Sequence, residues 1–260
     1  MQIRPLHGLA RLRSDCIVRI FESGVGPEGS PYLVMERLQG KPLSQLLESG
    51  SLPLARALPL IRDICRGVGA THAAGLVHRD LKPSNLFVVR QAGRERCKVL
   101  DFGLAMRPGS LQHGLSGTMR YMAPEQLSGR EPADVRSDIF ALGLVVLEML
   151  LGPAVQAVVG TRDVPSATAH GVPSDWAEAT LGLPAPLRAV VEAALDPERC
   201  RRPPNAMALL EALERAAGGD GRPLPRALSI RRRAASPGYS PSALETAPSG
   251  HWPWRSSDAN

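Results

Sequence analysis

A chain of 260 residues with 43% hydrophobic content holds one large domain or two small ones with a real core. That excludes global disorder, a collagen-like repeat and a disulfide-stapled miniature fold. Cys16, Cys65, Cys97 and Cys200 form no CxxC pair and no Cys/His metal spacing, and read as reduced, buried thiols of a cytoplasmic protein. The net charge of +6 is no signal for nucleic acid, because residues 218–260, with six arginines and three acids, carry half of it. Lysine is scarce: only Lys41, Lys82 and Lys98 occur, and none precedes Lys41.

In chain order, Leu6, Leu9, Ala10 and Leu12 share one helical face. Ile17–Phe21 and Tyr32–Met35 are β-rich runs around the turn-forming residues 23–29, which predicts a hairpin with a long loop. Leu43, Leu46 and Leu47 predict a short helix. Ala57, Leu58, Ile61, Ile64, Cys65, Val68 and His72 predict a longer one, with Pro59 in its first turn or at a kink. Leu86–Val89 and Lys98–Leu100 read as short strands. Helices return at Ile139–Leu151, Pro186–Leu195 and Asn205–Ala216, while residues 152–184 carry no clear pattern. The run Ile139–Leu151 is too short for a membrane span and contains Glu148, so it reads as a buried core helix. The N-terminus has no signal-peptide plan. From 218 onward a Pro/Ser/Arg-rich stretch without apolar period predicts disorder.

Three short motifs carry the chemistry. They are His78-Arg79-Asp80-Leu81-Lys82-Pro83-Ser84-Asn85, then Asp101-Phe102-Gly103 after a strand, then Gly117 to Glu125 ending in Ala123-Pro124-Glu125. Twelve fixed residue types at roughly 5% background each make their ordered conjunction a negligible coincidence.

These motifs resemble the protein kinase family, in particular the bacterial serine/threonine kinases of eukaryotic type. The resemblance runs from about Ile17 to Ala216 and implies an α+β, protein-kinase-like fold. A mostly helical C-terminal lobe (40–217) would follow the remnant of an N-terminal lobe (1–39), with a basic tail at 218–260. It implies ATP with Mg2+, or Mn2+ in its place, and a protein Ser/Thr hydroxyl as acceptor. A nucleic-acid partner is not expected from the charge placement, and no membrane segment is expected in this chain. Asp80 would accept the hydroxyl proton. Lys82 would place a charge beside the moving phosphate, and Thr118 would hydrogen-bond both. Asn85 and Asp101 would hold the metal on the phosphates. Glu36 and Leu38, at the hinge, and Leu86 would meet the nucleotide. His78 and Phe102 match the hydrophobic spine, and Gly103 completes the Asp-Phe-Gly motif. Glu125 would pair with Arg202, just before Pro203. Asp138 would hold the backbone of the catalytic loop, or simply be a helix-N-terminal acid. Arg79 would await an anion from a phosphorylated activation loop, with Ser110 and Ser116 as candidates.

The family's small-lobe parts are not found in their expected places: Gly24-Val25-Gly26-Pro27-Glu28-Gly29 has glycine-loop spacing but lies in the later hairpin, no lysine precedes Lys41, which falls after the hinge, and the place of the helix glutamate falls near Pro5. Either the coding sequence starts further upstream, or the chain is a fragment or degenerate kinase. These 260 residues are therefore expected to bind ATP weakly. A catalytically inactive, kinase-like interaction module is the alternative.

Overall fold

The computed structural model describes residues 14–26, 31–101, 119–129, 131–152, 155 and 180–218. Packing divides the chain into Met1–Ile230 and Arg231–Asn260, and every described residue lies in the first unit. The expected helix at residues 6–12, most of 152–184 and the tail beyond Gly218 lie outside the described residues, as do Phe102, Gly103, Ser110, Ser116 and Thr118.

The first hairpin pairs β1 (Ile20–Val25) with β2 (Pro31–Met35) antiparallel, with an irregularity at Phe21. Gly24 lies opposite Tyr32, and a Cβ there would sit 2.6 Å from the Tyr32 ring. The strand predicted at 17–21 is divided. Ile17 bridges in parallel to Val99, and Val18 donates its amide to the Val99 carbonyl at 3.0 Å. The reason is burial on both sides: Ile17 and Val18 are both in the core, which an alternating hairpin strand does not allow.

A second sheet, of order β3-β4-β5, joins Gly40–Pro42, Leu86–Gln91 and Arg94–Val99, all antiparallel. Two features depart from expectation. β3 has no hydrophobic pattern of its own, and β5 extends four residues upstream of the predicted Lys98. The turn between β4 and β5 explains the longer strand. Ala92 and Gly93 have φ of 49° and 77°, the left-handed pair that matches strand twist in a two-residue hairpin.

Four main helices build the rest. After the short α1 (Leu43–Leu47), α2 (Leu54–Ala73) buries Ala57, Leu60, Ile61, Ile64, Cys65 and Val68 at helical spacing. Pro59 is its sixth residue, so it lies in the second turn rather than the first, and the helix runs through it. Gly67 lets α2 approach the sheet. A Cβ there would lie 2.7 Å from the Cys16 carbonyl and 2.8 Å from Val99 Cγ2. The five-residue α3 is Pro124–Ser128.

Helix α4 (Val135–Leu151) starts four residues before the predicted Ile139, because Asp134 caps it. The Asp134 carboxylate accepts the Arg136 amide at 2.7 Å, and Ser137 Oγ accepts the Asp134 amide at 3.2 Å. Every residue from Ser137 to Leu151 is buried, as a helix apolar on all sides requires. Helices α5 (Ala185–Ala194) and α6 (Ala206–Gly218) complete the core. α5 packs on α4, and α6 packs on α2 and α5. Among the described residues no helix is long and apolar enough to cross a membrane. Cys16, Cys65 and Cys97 are buried thiols, whereas Cys200, expected to be buried, is exposed in the short turn Arg199–Arg201.

Candidate active site

The site is built on the loop between α2 and β4. Its backbone hangs on one buried carboxylate, Asp138, in the first turns of α4. Asp138 Oδ2 accepts the His78 amide and Oδ1 the Arg79 amide, both at 2.8 Å. The His72 ring, from the last turn of α2, reaches the same Oδ2 through Nε2 at 2.8 Å. Facing a carboxylate, that nitrogen donates. Three donors thus converge on a side chain that is 1% exposed, which satisfies an otherwise costly buried charge. Held this way, Arg79 takes a left-handed φ of 70°. A bulky residue adopts that conformation only where its surroundings over-determine it.

The turn at Arg79 presents Asp80. Lys82 Nζ donates to Asp80 Oδ2 at 2.7 Å, and Asn85 Nδ2 donates to the Asp80 carbonyl at 2.8 Å and to Oδ2 at 3.1 Å. A 3-10 turn, Pro83–Asn85, returns the chain to β4, where Leu86 is fully buried. Leu100 donates its amide to the Asn85 carbonyl at 2.8 Å, which ties the end of β5 to this loop. His78 Nε2 donates to the Leu100 carbonyl at 2.9 Å, so its Nδ1 faces the Asp80 amide as acceptor at 3.4 Å. Asp101 follows at once, exposed and with a left-handed φ of 53°.

The donor chemistry fits a hard divalent cation. Both hydrogen bonds of the Asn85 side chain use Nδ2, so its Oδ1 is an available oxygen donor, and Asp101 adds a carboxylate. Among the described residues no group of three His, Cys, Asp or Glu side chains could hold a metal. One carboxylate and one amide, completed by substrate phosphates, is the sparse donor set Mg2+ accepts.

A second anchor fixes the far side of the loop. Arg202, fully buried, makes a two-bond pair with Glu125 at 2.8 and 2.9 Å. It also donates to the carbonyls of Asp196, Arg136 and Pro197, and its guanidinium lies 4.9 Å from the centre of the Phe140 ring. Burial pushes the Glu125 carboxyl up, but the bonds from Arg202 and from Ser137 Oγ outweigh it and leave it below the ordinary value. Burial also pulls the Arg79 guanidinium down, against the opposing pull of Asp138.

At the expected hinge, the Glu36 amide is committed to the Arg19 carbonyl at 2.9 Å. Its carboxylate accepts Lys98 Nζ at 2.5 Å and the Arg19 amide at 2.9 Å. Leu38, two residues on, is half-buried against the core.

Three participants were missed in the sequence. In the sequence His72 falls at the end of the apolar spacing of α2, which gives no sign of its bond to Asp138. Gln126 donates to the Arg79 carbonyl at 3.1 Å while its oxygen accepts the Ala123 amide at 3.0 Å, so it stitches α3 to the loop. Its signal was the glutamine three residues after a helix start. Tyr121 donates to Glu148 Oε2 at 2.5 Å, and burial, with the neighbouring carboxylate, pushes its phenol far up. A buried acid in the apolar part of a helix needs such a partner.

Residues 3–170 match the protein kinase domain family. The chain belongs to the protein kinase family. Serine/threonine-protein kinase pkn2 of Myxococcus xanthus is 34% identical over 214 residues, covering 79% of this chain and 26% of that protein. Serine/threonine-protein kinase Pkn1 of the same organism is 42% identical over 160 residues, 58% of this chain and 23% of the relative. Serine/threonine-protein kinase A of Synechocystis is 39% identical over 153 residues, 54% and 29%. The chain thus spans about a quarter of the length of the curated relatives it matches. The α+β fold of this kinase domain agrees with the family, its small antiparallel sheets lying beside a helical core.

Proposed function

We propose that this kinase domain transfers the γ-phosphate of ATP to protein Ser/Thr hydroxyls. The observation that carries the reading is the Asp80–Lys82–Asn85 network on a loop whose backbone is pinned by Asp138. Asp80 Oδ1, which makes no hydrogen bond among the described residues, accepts the substrate hydroxyl's hydrogen bond and then its proton as the oxygen attacks phosphorus. The Lys82 ammonium, bonded to the same carboxylate, faces the negative charge that spreads over the phosphoryl oxygens. Asn85 Oδ1 and the Asp101 carboxylate would hold Mg2+, which would supply neutralisation of the phosphate charge. The Glu36 carbonyl and Leu38 orient the base.

This reading includes weak ATP binding by the chain itself: Gly24, Gly26 and Gly29 have glycine-loop spacing, but the first lysine after them is Lys41, which follows the expected hinge. The lack of any lysine before Lys41 is also what favours the second reading, a kinase-like interaction module.

Incubation with labelled ATP, Mg2+ and a mixed protein substrate tests both parts. The expected result is slow transfer that falls by about 10²- to 10⁴-fold in Asp80→Asn. Transfer indifferent to Asp80→Asn would overturn the role of Asp80. Turnover of about 1–100 s⁻¹ would overturn the weak-binding part.

A further inference from the structure

Away from the loop just described, a cavity of about 780 Å³ opens over the β3-β4-β5 sheet and the start of α2. That volume lies within the roughly 300–1,000 Å³ of ligand clefts. Val88 and Val89 form its apolar part, and Lys41, Arg56, Arg90 and Glu95 its charged part. Strand register explains the grouping. Lys41 is opposite Val88, Arg90 is opposite Glu95, and Val88 and Arg90, two apart on β4, share a face.

The charges do not balance. Arg56 grips Glu95 through two bonds of 2.7 Å, which neutralises that pair. Glu95 is held below the usual carboxylate range by Arg56 first, with Arg90 and Lys41 also acting on it. Lys41 and Arg90 themselves are exposed and form no ion pair among the described residues. Two positive charges are therefore left over, on one face, beside an apolar floor.

We propose that this cavity docks an acidic segment of a protein partner, with its carboxylates on Lys41 and Arg90 and its backbone over Val88. Geometry selects a peptide. Lys41 and Arg90 are diagonal neighbours on adjacent strands, about 7–8 Å apart by sheet geometry. Acidic residues at alternate positions of an extended peptide are about 6.6–6.8 Å apart, a close match. Single-stranded nucleic acid is disfavoured, because among the described residues no aromatic side chain lines the cavity for base stacking. The location suits tethering. Arg90 is five residues along β4 from Asn85, roughly 17 Å at the rise of a strand. A segment docked here leaves the site open and raises the local concentration of whatever it is attached to.

The test reads binding rather than phosphoryl transfer, so its failure leaves the proposed activity untouched. Anisotropy of a fluorescein-labelled peptide with glutamate at alternate positions is measured against the 260-residue chain at low ionic strength. Binding at least tenfold weaker in Lys41→Glu/Arg90→Glu is expected, with binding regained by the same peptide carrying lysine in place of glutamate. Lys41→Gln/Arg90→Gln, the milder variant, is expected to weaken binding in the same direction while its thermal unfolding is unchanged. Unaltered affinity in both double variants overturns the proposal. So does loss of binding in Arg231→Ala/Arg232→Ala/Arg233→Ala, which would place the peptide on the tail. Equal competition by a single-stranded DNA of the same charge also overturns it, since a peptide-shaped site would then be excluded.

Discussion

Helix α4 and hairpin β1–β2 are both apolar in sequence, yet they hold very different positions. α4 buries every side chain from Ser137 to Leu151. The hairpin leaves Phe21 56%, Val34 44% and Tyr32 41% exposed. The helix is surrounded by elements that exclude water on all sides, while the two strands pair with each other and cover one another on few faces. The candidate active-site loop hangs from the first of these regions. Asp138 and Phe140 project from α4 to the loop and to Arg202, and Glu148 from the same helix takes Tyr121. A polar group in so dry a setting must be fully bonded or costs several kcal/mol, so it also fixes geometry strongly.

If that contrast is right, the largest effect belongs to Arg202→Ala. It leaves the buried Glu125 carboxylate unpaired, and a loss of about 3–5 kcal/mol is expected in urea unfolding. Glu125→Gln combined with Arg202→Met should lose less than the sum of the single changes, because no charge is then stranded. Asp138→Asn comes next. It turns an acceptor of three donors into a weaker one and should cost about 3 kcal/mol, with loss of the proposed phosphoryl transfer. A change below about 1 kcal/mol would break the comparison at its centre.

The pH dependence sharpens it. The folded Glu125 carboxyl lies below its ordinary value. The stability it contributes is therefore complete above the unfolded value, near 4.5, and is lost as pH falls from there through the folded value. Unfolding midpoints measured between about pH 6 and 3 should fall less steeply in Glu125→Gln than in the parent chain.

On the exposed hairpin, Val34→Thr should move stability by no more than about 0.5 kcal/mol in thermal unfolding. A core-sized loss of about 2 kcal/mol would show that something covers this face. The smallest effect is a gain. Ala92 sits at φ 49°, and Ala92→Gly removes about 1–2 kcal/mol of left-handed strain while adding back unfolded-chain entropy. A net stabilisation of about 0.5 kcal/mol is expected from the same measurement.

What was legible in the sequence follows the range of the interactions involved. α2 and α5 were visible because their apolar spacing is local. Hairpin β1–β2 was visible as two β-rich runs around turn residues, but the assignment of Ile17 to it failed, since Ile17 bonds to Val99, far along the chain. The cap at Asp134 was overlooked because four polar or half-buried residues precede the apolar run. β3 left no trace, since Gly40–Pro42 is a strand only by pairing with β4.

The sequence by itself determined the order of the motifs, the family, the identity of Asp80, Lys82, Asn85 and Asp101, and the absence of a lysine before Lys41. These are statements of residue type and spacing, which a linear chain carries without folding. Tertiary structure alone decided that Asp138 gathers His72, His78 and Arg79, that Gln126 stitches α3 to the loop, and that Lys41 and Arg90 share a face with an already neutralised Arg56–Glu95 pair. Each of those depends on backbones far apart in sequence meeting within hydrogen-bond or strand-pairing distance. Only burial and register, not composition, determine whether a charge there is satisfied or left over.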